Sequence, residues 1–493
     1  MGLWAVLCIS ITAHAEKAEW VGVCPEPASC KVTSSTYQPL KKVSVACADE
    51  AALSWAKKHL KEWYGKVGPE VVNASRSTAD LGNEAYNLEV TAGEVKITAR
   101  TLQGVRYALY SLRQMAIPQR GTLQVEGWIL PQVTIHDKPS LDFRGIHMCW
   151  FHESEPWEIE RLIRLAAYYK LNYAVVESWG SFRSDVAPWY GWPDGSMTKK
   201  ELKRLRKIAD DLGITLIPQI NVFGHATMSR GGAGKHAALE FNPQYQPLFE
   251  PVNGWNWCLS NPETRKLLQE LIVEQLEAYG NPPYFHIGCD EALPPSCPAC
   301  KEKPYSQLFL EHVKAMNETI SLRGAKTMMW HDMLLQRGDN RWNGFYANGT
   351  AETAAGLLKL PRDIIICDWY YGPAHKAYPT IDYFKEQGFH VLACPWYDTG
   401  GIAAQGRYAG KAGLDGMLGT LWHHYFGYDL VDDYFTLSNV AWNSESSFSM
   451  TGAHYGEFFR THLRQIGWDM HIKDSRHAGI YYHEVPPEPD LRN

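Results

Sequence analysis

Beyond a short stretch at the N-terminus, no window of the chain holds 18 consecutive apolar residues, so no membrane-spanning helix is predicted. Positive charge is not in excess. The 48 Lys and Arg stand against 54 Asp and Glu, and the net charge of -6 points away from nucleic acid and anionic membranes as partners. No Gly-rich phosphate loop follows any apolar run, which removes the nucleotide-binding fingerprint. Low-complexity tracts and short repeats are also missing. What remains is an ordinary globular composition, 45% apolar and 21% charged. Its 493 residues suffice for two domains or for one large barrel with an appendage.

Aromatic residues are abundant, with 19 Trp and 26 Tyr. A flat indole covers the apolar face of a pyranose while polar neighbours bond its hydroxyls, so a carbohydrate ligand competes with a merely large core as the explanation. Residues 1–15 form a short apolar run that ends Ala13-His14-Ala15, a small-x-small pattern that reads as a signal peptide for a secreted or periplasmic protein with Glu16 first. No Lys or Arg precedes that run. Without Cys8, ten cysteines remain. Cys24 and Cys30 are spaced for a local disulfide. Cys297-Pro298-Ala299-Cys300 is a single CxxC, readable as a disulfide or as two free thiols. A zinc ion there would need two further ligands, for which Cys258 or a nearby His is available.

After an N-terminal segment, 16–44, residues 45–138 read as a small α/β domain. It has a helix from Ala51 to Trp63, a hairpin of 87–90 and 94–99 around Ala92-Gly93, and a helix over 101–115 with Val105, Leu109 and Leu112 on one face. From 139 to 480 short apolar runs alternate with amphipathic helices such as 156–169 and 262–279. The strands fall at 143–149, 172–178, 214–221, 284–290, 327–332, 363–369, 389–396 and 416–422. This count and size predict a (β/α)8 TIM barrel, with a doubly wound sheet as the alternative. A polar tail, 481–493, ends the chain.

In such a barrel the active site lies at the C-terminal ends of the strands. Those ends read Cys149-Trp150, Glu177-Ser178-Trp179, Asn221 to His225, Asp290-Glu291, Trp330-His331-Asp332, Asp368 to Tyr371, Trp396-Tyr397-Asp398 and Trp422-His423-His424. Nearly every one carries an indole, a carboxylate or an imidazole, which gives the aromatic excess a location. On strand four, alternation puts His286, Gly288 and Asp290 on one face, while Pro294-Pro295 stops the strand and frees Glu291 to lean over the same pocket. Two carboxylates so close do not both ionise easily, and a raised carboxyl suits a general acid that protonates a glycosidic oxygen.

His286-Ile287-Gly288-Cys289-Asp290-Glu291 resembles the His-x-Gly-x-Asp-Glu motif of family 20 glycoside hydrolases, the β-N-acetylhexosaminidases. The resemblance extends to the small domain, to Phe143-Arg144-Gly145 on strand one, to Gly224-His225 on strand three and to Trp396-Tyr397-Asp398 on strand seven. It implies hydrolysis of terminal β-linked N-acetylhexosamine with retention, the substrate's own 2-acetamido oxygen serving as nucleophile. By the same resemblance Asp290 orients the acetamido N–H and Glu291 is the general acid and then base. Tyr397 and Asp398 serve the sugar, Trp330, Trp369 and Trp422 wall it, His225 supports Glu291, and Arg144 bonds the 3- and 4-hydroxyls. No cofactor is implied.

Two departures stand out. Val176-Glu177-Ser178-Trp179-Gly180 and the 219–225 segment look more like the hexosaminidase D branch, which makes Glu177 a sugar ligand or a partner of His225. On strand eight His424 occupies the place of a Glu that bonds the 4- and 6-hydroxyls, so a 6-substituted sugar or a GalNAc preference is an expectation here. Two rival readings are an ordinary retaining glycosidase with a protein nucleophile and a non-catalytic glycan-binding barrel.

Overall fold

A computed structural model describes residues 21–74, 81–122, 124–152, 154–193, 195, 197–227, 238–251, 253–422, 432–446 and 462. The expected signal peptide, the polar tail and His424 lie outside the described residues.

The first unit is a seven-stranded sheet. Its strands are β1 (Ser29–Pro39), β2 (Lys42–Cys47), β3 (Glu70–Asn73), β4 (Tyr86–Thr91), β5 (Glu94–Ala99), β6 (Ile117–Arg120) and β7 (Val125–Asp137). They run in the order β1-β7-β4-β5-β2-β3, with β6 paired to β7. Helices Ala51–Tyr64 and Leu102–Met115 pack on it. The expected hairpin is β4 and β5, which pair antiparallel around Ala92-Gly93, with Gly93 at φ 85°. The domain begins earlier than the sequence pattern indicates, because β1 pairs antiparallel with β7 and draws part of the 16–44 segment into the sheet. The Cys24–Cys30 disulfide does not form. Cys30 is buried on β1, while the Cys24 sulfur accepts the Asn439 Nδ2–H at 3.3 Å, across the seam with the second unit.

The second unit is a closed barrel of eight strands, all parallel. They are β8 (Phe143–Phe151), β9 (Tyr173–Trp179), β10 (Thr215–Gln219), β11 (Tyr284–His286), β12 (Lys326–Trp330), β13 (Ile365–Tyr370), β14 (His390–Pro395) and β15 (Gly416–Leu421). Each falls within or next to an expected strand. β8 is buried along its whole length, as a parallel strand covered on both faces should be. Helix Pro156–Tyr168 starts with a capping box made by Glu155 and Glu158, and helix Pro262–Ala278 starts from an Asn261 cap.

The seam between the units decides the fate of Arg144. Arg144 is the second residue of β8, at the end of the barrel away from the strand C-termini. Its guanidinium, fully buried, binds Glu84 at 2.7 and 3.0 Å, the Tyr107 hydroxyl at 3.0 Å and the carbonyls of Leu141 and Lys170 at 2.8 and 3.1 Å. Those partners use its planar fork of donors, and Arg144 is a junction residue rather than a sugar ligand. Beside it Lys170 donates to Asp137 at 2.9 Å, and Trp442 Nε1 donates to the other Asp137 oxygen at 2.7 Å.

Candidate active site

Strand four is shorter than its alternation suggests. β11 ends at His286, and the chain then turns through left-handed backbone, with φ 65° at Gly288, 76° at Cys289 and 46° at Glu291. Gly288 is required twice over, because a Cβ there would run into the Asn221 side-chain oxygen. His225 and Tyr397 also have positive φ, at 55° and 37°. Of the six described non-Gly residues with positive φ, four belong to this site, which is where strained backbone is retained when function needs it.

The turn puts Asp290 and Glu291 side by side in different environments. Asp290 is 6% exposed, whereas the Glu291 side chain is 47% exposed. His225 Nε2 lies 3.3 Å from Asp290 Oδ2 and 3.2 Å from Glu291 Oε2, which places one imidazole nitrogen between the two carboxylates. The Glu291 main chain is held from two sides: its N–H donates to Asp332 Oδ2 at 2.9 Å, and its carbonyl accepts the Trp255 Nε1–H at 2.8 Å. The Trp255 ring also lies against His225, with centroids 4.2 Å apart.

Below this pair the barrel floor is polar. Glu177 is buried, and its two oxygens take the Asn221 Nδ2–H at 2.6 Å and His147 Nε2 at 3.0 Å. It therefore props the floor through Asn221, the side chain that Gly288 makes room for, and does not present itself to sugar hydroxyls. Trp330 is likewise fully buried, packed between His286 at 4.3 Å and Trp422 at 5.4 Å. It supports the wall and offers no face to a ligand.

A less deeply buried aromatic wall is built by other residues. Tyr346 stacks on Trp369 at 4.1 Å, and Tyr371 lies 5.1 Å from Trp369. Half-buried Trp422 donates its Nε1–H to the Tyr371 hydroxyl at 2.6 Å. His331 fixes the stack: its Nδ1 accepts the Trp369 N–H at 3.2 Å, and its Nε2 donates to the Tyr346 carbonyl at 3.0 Å. Tyr397 is 46% exposed at the rim, 6.3 Å from Tyr371. Asp398 is a helix cap, its Oδ1 accepting the Gly401 N–H at the start of helix Thr399–Ala412.

Tyr346, Asn348 and Trp255 were not legible as site residues, because each reaches the site from a loop that carries no motif. Asp332 was visible at the end of strand five but without a role. The structure makes it a hub. It accepts the Glu291 N–H, the Asn348 Nδ2–H at 2.9 Å and, on its other oxygen, the Trp369 Nε1–H at 3.3 Å.

Asp332 is also a carboxyl that this environment pushes up, to about 7, by burial first and then by the Asp290 charge. Asp368, on β13, is pushed up to about 8 by burial. Burial holds His286 and His331 down at about 3. The two sets act oppositely on stability. The imidazoles bind fewer protons folded than unfolded, so their contribution grows as pH rises from about 3 to the ordinary His value near 6.5. The carboxyls bind more protons folded, so their contribution is complete below the ordinary Asp value near 3.8 and is lost as pH rises through about 7 to 8. Asp368→Asn keeps the neutral shape and removes one of those losses. Its Tm relative to the parent should therefore improve steadily between about pH 5 and 7.5 and level off above about pH 8. A Tm difference that stays constant over that range would contradict the assignment.

The model for "Glycosyl hydrolase family 20, catalytic domain" matches residues 151–425, and that for "Glycosyl hydrolase family 20, domain 2" matches residues 21–138. A beta-hexosaminidase of Vibrio furnissii is 26% identical over 280 residues, 50% of this chain and 44% of that one. Hexosaminidase D of Bos taurus is 22% identical over 236 residues, 45% of this chain and 59% of that one, so the match does not single out its branch. The solved structure of a Flavobacterium johnsoniae chitobiase superposes with a TM-score of 0.67 at 17% identity, covering 92% of this chain and 74% of that one, which shows the shared fold. The chain spans less than half the length of the first relatives it matches.

Proposed function

The chain belongs to glycosyl hydrolase family 20, and on that premise we propose that it releases terminal non-reducing β-linked N-acetylhexosamine from glycans, with the substrate's 2-acetamido oxygen as nucleophile. The observation that carries the proposal is the unequal carboxylate pair. Asp290 is buried and Glu291 is exposed, and both are within hydrogen-bond reach of one His225 nitrogen. A buried carboxylate suits a polar N–H that stays in place. An exposed one suits a proton that must reach a leaving oxygen and later be taken from water.

In the first step the acetamido oxygen bonds to the anomeric carbon and the glycosidic C–O bond breaks. Glu291 gives its proton to the leaving oxygen. Asp290 accepts a hydrogen bond from the acetamido N–H and balances the positive charge of the bicyclic oxazolinium. In the second step Glu291 takes a proton from water, whose oxygen bonds to the anomeric carbon and opens the ring. Retention follows from the two inversions. Tyr397 reaches the acetamido oxygen from the rim, while Trp369, Tyr371 and Trp422 wall the site.

The rival within enzymes makes Asp290 a covalent nucleophile. A thiazoline that imitates the oxazolinium separates the two. It should inhibit hydrolysis of the nitrophenyl glycosides of GlcNAc, GalNAc and 6-sulfo-GlcNAc, assayed side by side. Hydrolysis insensitive to the thiazoline would favour the protein nucleophile, and no hydrolysis of any of the three would overturn the reading. The ranking of the three substrates also tests the expectation attached to His424. A plain GlcNAc preference would sink it.

A further inference from the structure

Three cysteines and a buried glutamate converge beside the site without taking part in the chemistry above. We propose that Cys258, Cys297 and Cys300, with Glu250 as fourth ligand, hold a structural zinc ion that fastens two active-site loops to each other. The inference stands on the geometry of these four side chains and does not depend on the substrate.

The Cys258 sulfur lies 3.7 Å from that of Cys297 and 3.7 Å from that of Cys300. A tetrahedral zinc with Zn–S bonds of about 2.3 Å sets its sulfurs about 3.8 Å apart. A disulfide would need about 2.05 Å, and three sulfurs cannot all be paired. Simple contact also brings two thiols to such a distance. It does not gather three of them with a carboxylate, and here one ligand atom from each of the four residues lies within 4.8 Å of every other.

The surroundings are those of a metal knuckle. Cys297 caps the one-turn helix Pro298–Lys301, and its sulfur accepts the Cys300 N–H at 3.3 Å, a bond that favours a thiolate. Glu250 Oε2 accepts the N–H groups of Ser296 and Cys297 at 2.8 and 2.6 Å, which aims the CxxC turn at the carboxylate. Cys258, Cys300 and Glu250 are 6%, 1% and 6% exposed. Four protein ligands in a closed pocket leave no position for substrate, so the ion would be structural.

Position gives the ion its purpose. Cys258 follows three residues after Trp255, which holds the Glu291 carbonyl and lies against His225. Cys297 and Cys300 follow Glu291 on its own loop. The two loops already exchange hydrogen bonds, Asn256 Nδ2 to the Leu293 carbonyl at 2.6 Å and the Leu293 N–H to Asn256 Oδ1 at 3.1 Å. A zinc ion would lock that pairing and hold Trp255, His225 and Glu291 in register.

The test is metal analysis of the full chain, purified without a His-tag, saturated with zinc and dialysed. Elemental analysis should find about one zinc per chain, lost in Cys258→Ser and in the Cys297→Ser/Cys300→Ser double variant. Cobalt exchanged into the parent protein should give the intense near-ultraviolet charge-transfer band of Co–thiolate bonds. The parent also decides the matter if the variants fail to fold. Less than about one-tenth of an equivalent of zinc in the saturated parent, no thiolate band with cobalt, or a Cys297–Cys300 disulfide by mass would each overturn the proposal.

Discussion

Glu291→Gln should lower kcat by about 10²- to 10⁴-fold on a natural disaccharide, the usual worth of a positioned general acid and base. Gln keeps the shape and the main-chain anchors to Asp332 and Trp255, so the fold around the turn should survive. What it loses is the proton. The loss should therefore depend on the leaving group. A sugar alcohol needs protonation to depart and should suffer the full effect, whereas a nitrophenolate departs unaided and should suffer much less in the first step. The pH limb of kcat/KM that reports the proton donor should flatten in the variant. Parent-like kcat on the disaccharide would remove Glu291 from the role.

Replacing the 2-acetamido group of the substrate with a hydroxyl should be costlier still. A nucleophile tethered next to the anomeric carbon is worth an effective molarity of about 10⁵–10⁸ M, so kcat/KM should fall by at least about 10⁵-fold. If Asp290 were the nucleophile, the same change would remove only binding contacts and cost about 10- to 200-fold. The two mechanisms differ by far more than assay error. Asp290→Asn should act in the same direction, lowering kcat by about 10²- to 10³-fold, the scale seen when one charge-stabilising contact is removed. A 2-hydroxy substrate turned over within about 100-fold of the acetamido one would defeat substrate assistance.

The sequence alone carried the features that depend on spacing along the chain. Strand alternation and helical periodicity placed the barrel strands within a few residues, and the turn residues 92–93 marked the β4–β5 hairpin. The strand-end positions exposed Asp290, Glu291 and His225. Tertiary structure decided everything that depends on partners distant in sequence. Arg144 reads as a strand-one sugar ligand until Glu84, 60 residues before it, takes its guanidinium at the opposite end of the barrel. Trp330 reads as a wall until burial removes its face. The local spacing of Cys24 and Cys30 suggested a bond that does not form, while Cys258, 39 residues from Cys297, was only one of several candidate ligands for the CxxC.

Asp290 and Glu291 sit on the line between the two. Their adjacency belongs to the sequence. Their unequal burial does not, because it depends on where the chain turns left-handed, at Gly288, and on what packs against that turn. That turn, the Asn221 side chain beneath it and the hold of Asp332 and Trp255 on Glu291 bury one carboxylate and expose the other. Periodicity is a property of neighbours along the chain, whereas burial and hydrogen-bond partners come from segments brought together only when the barrel closes.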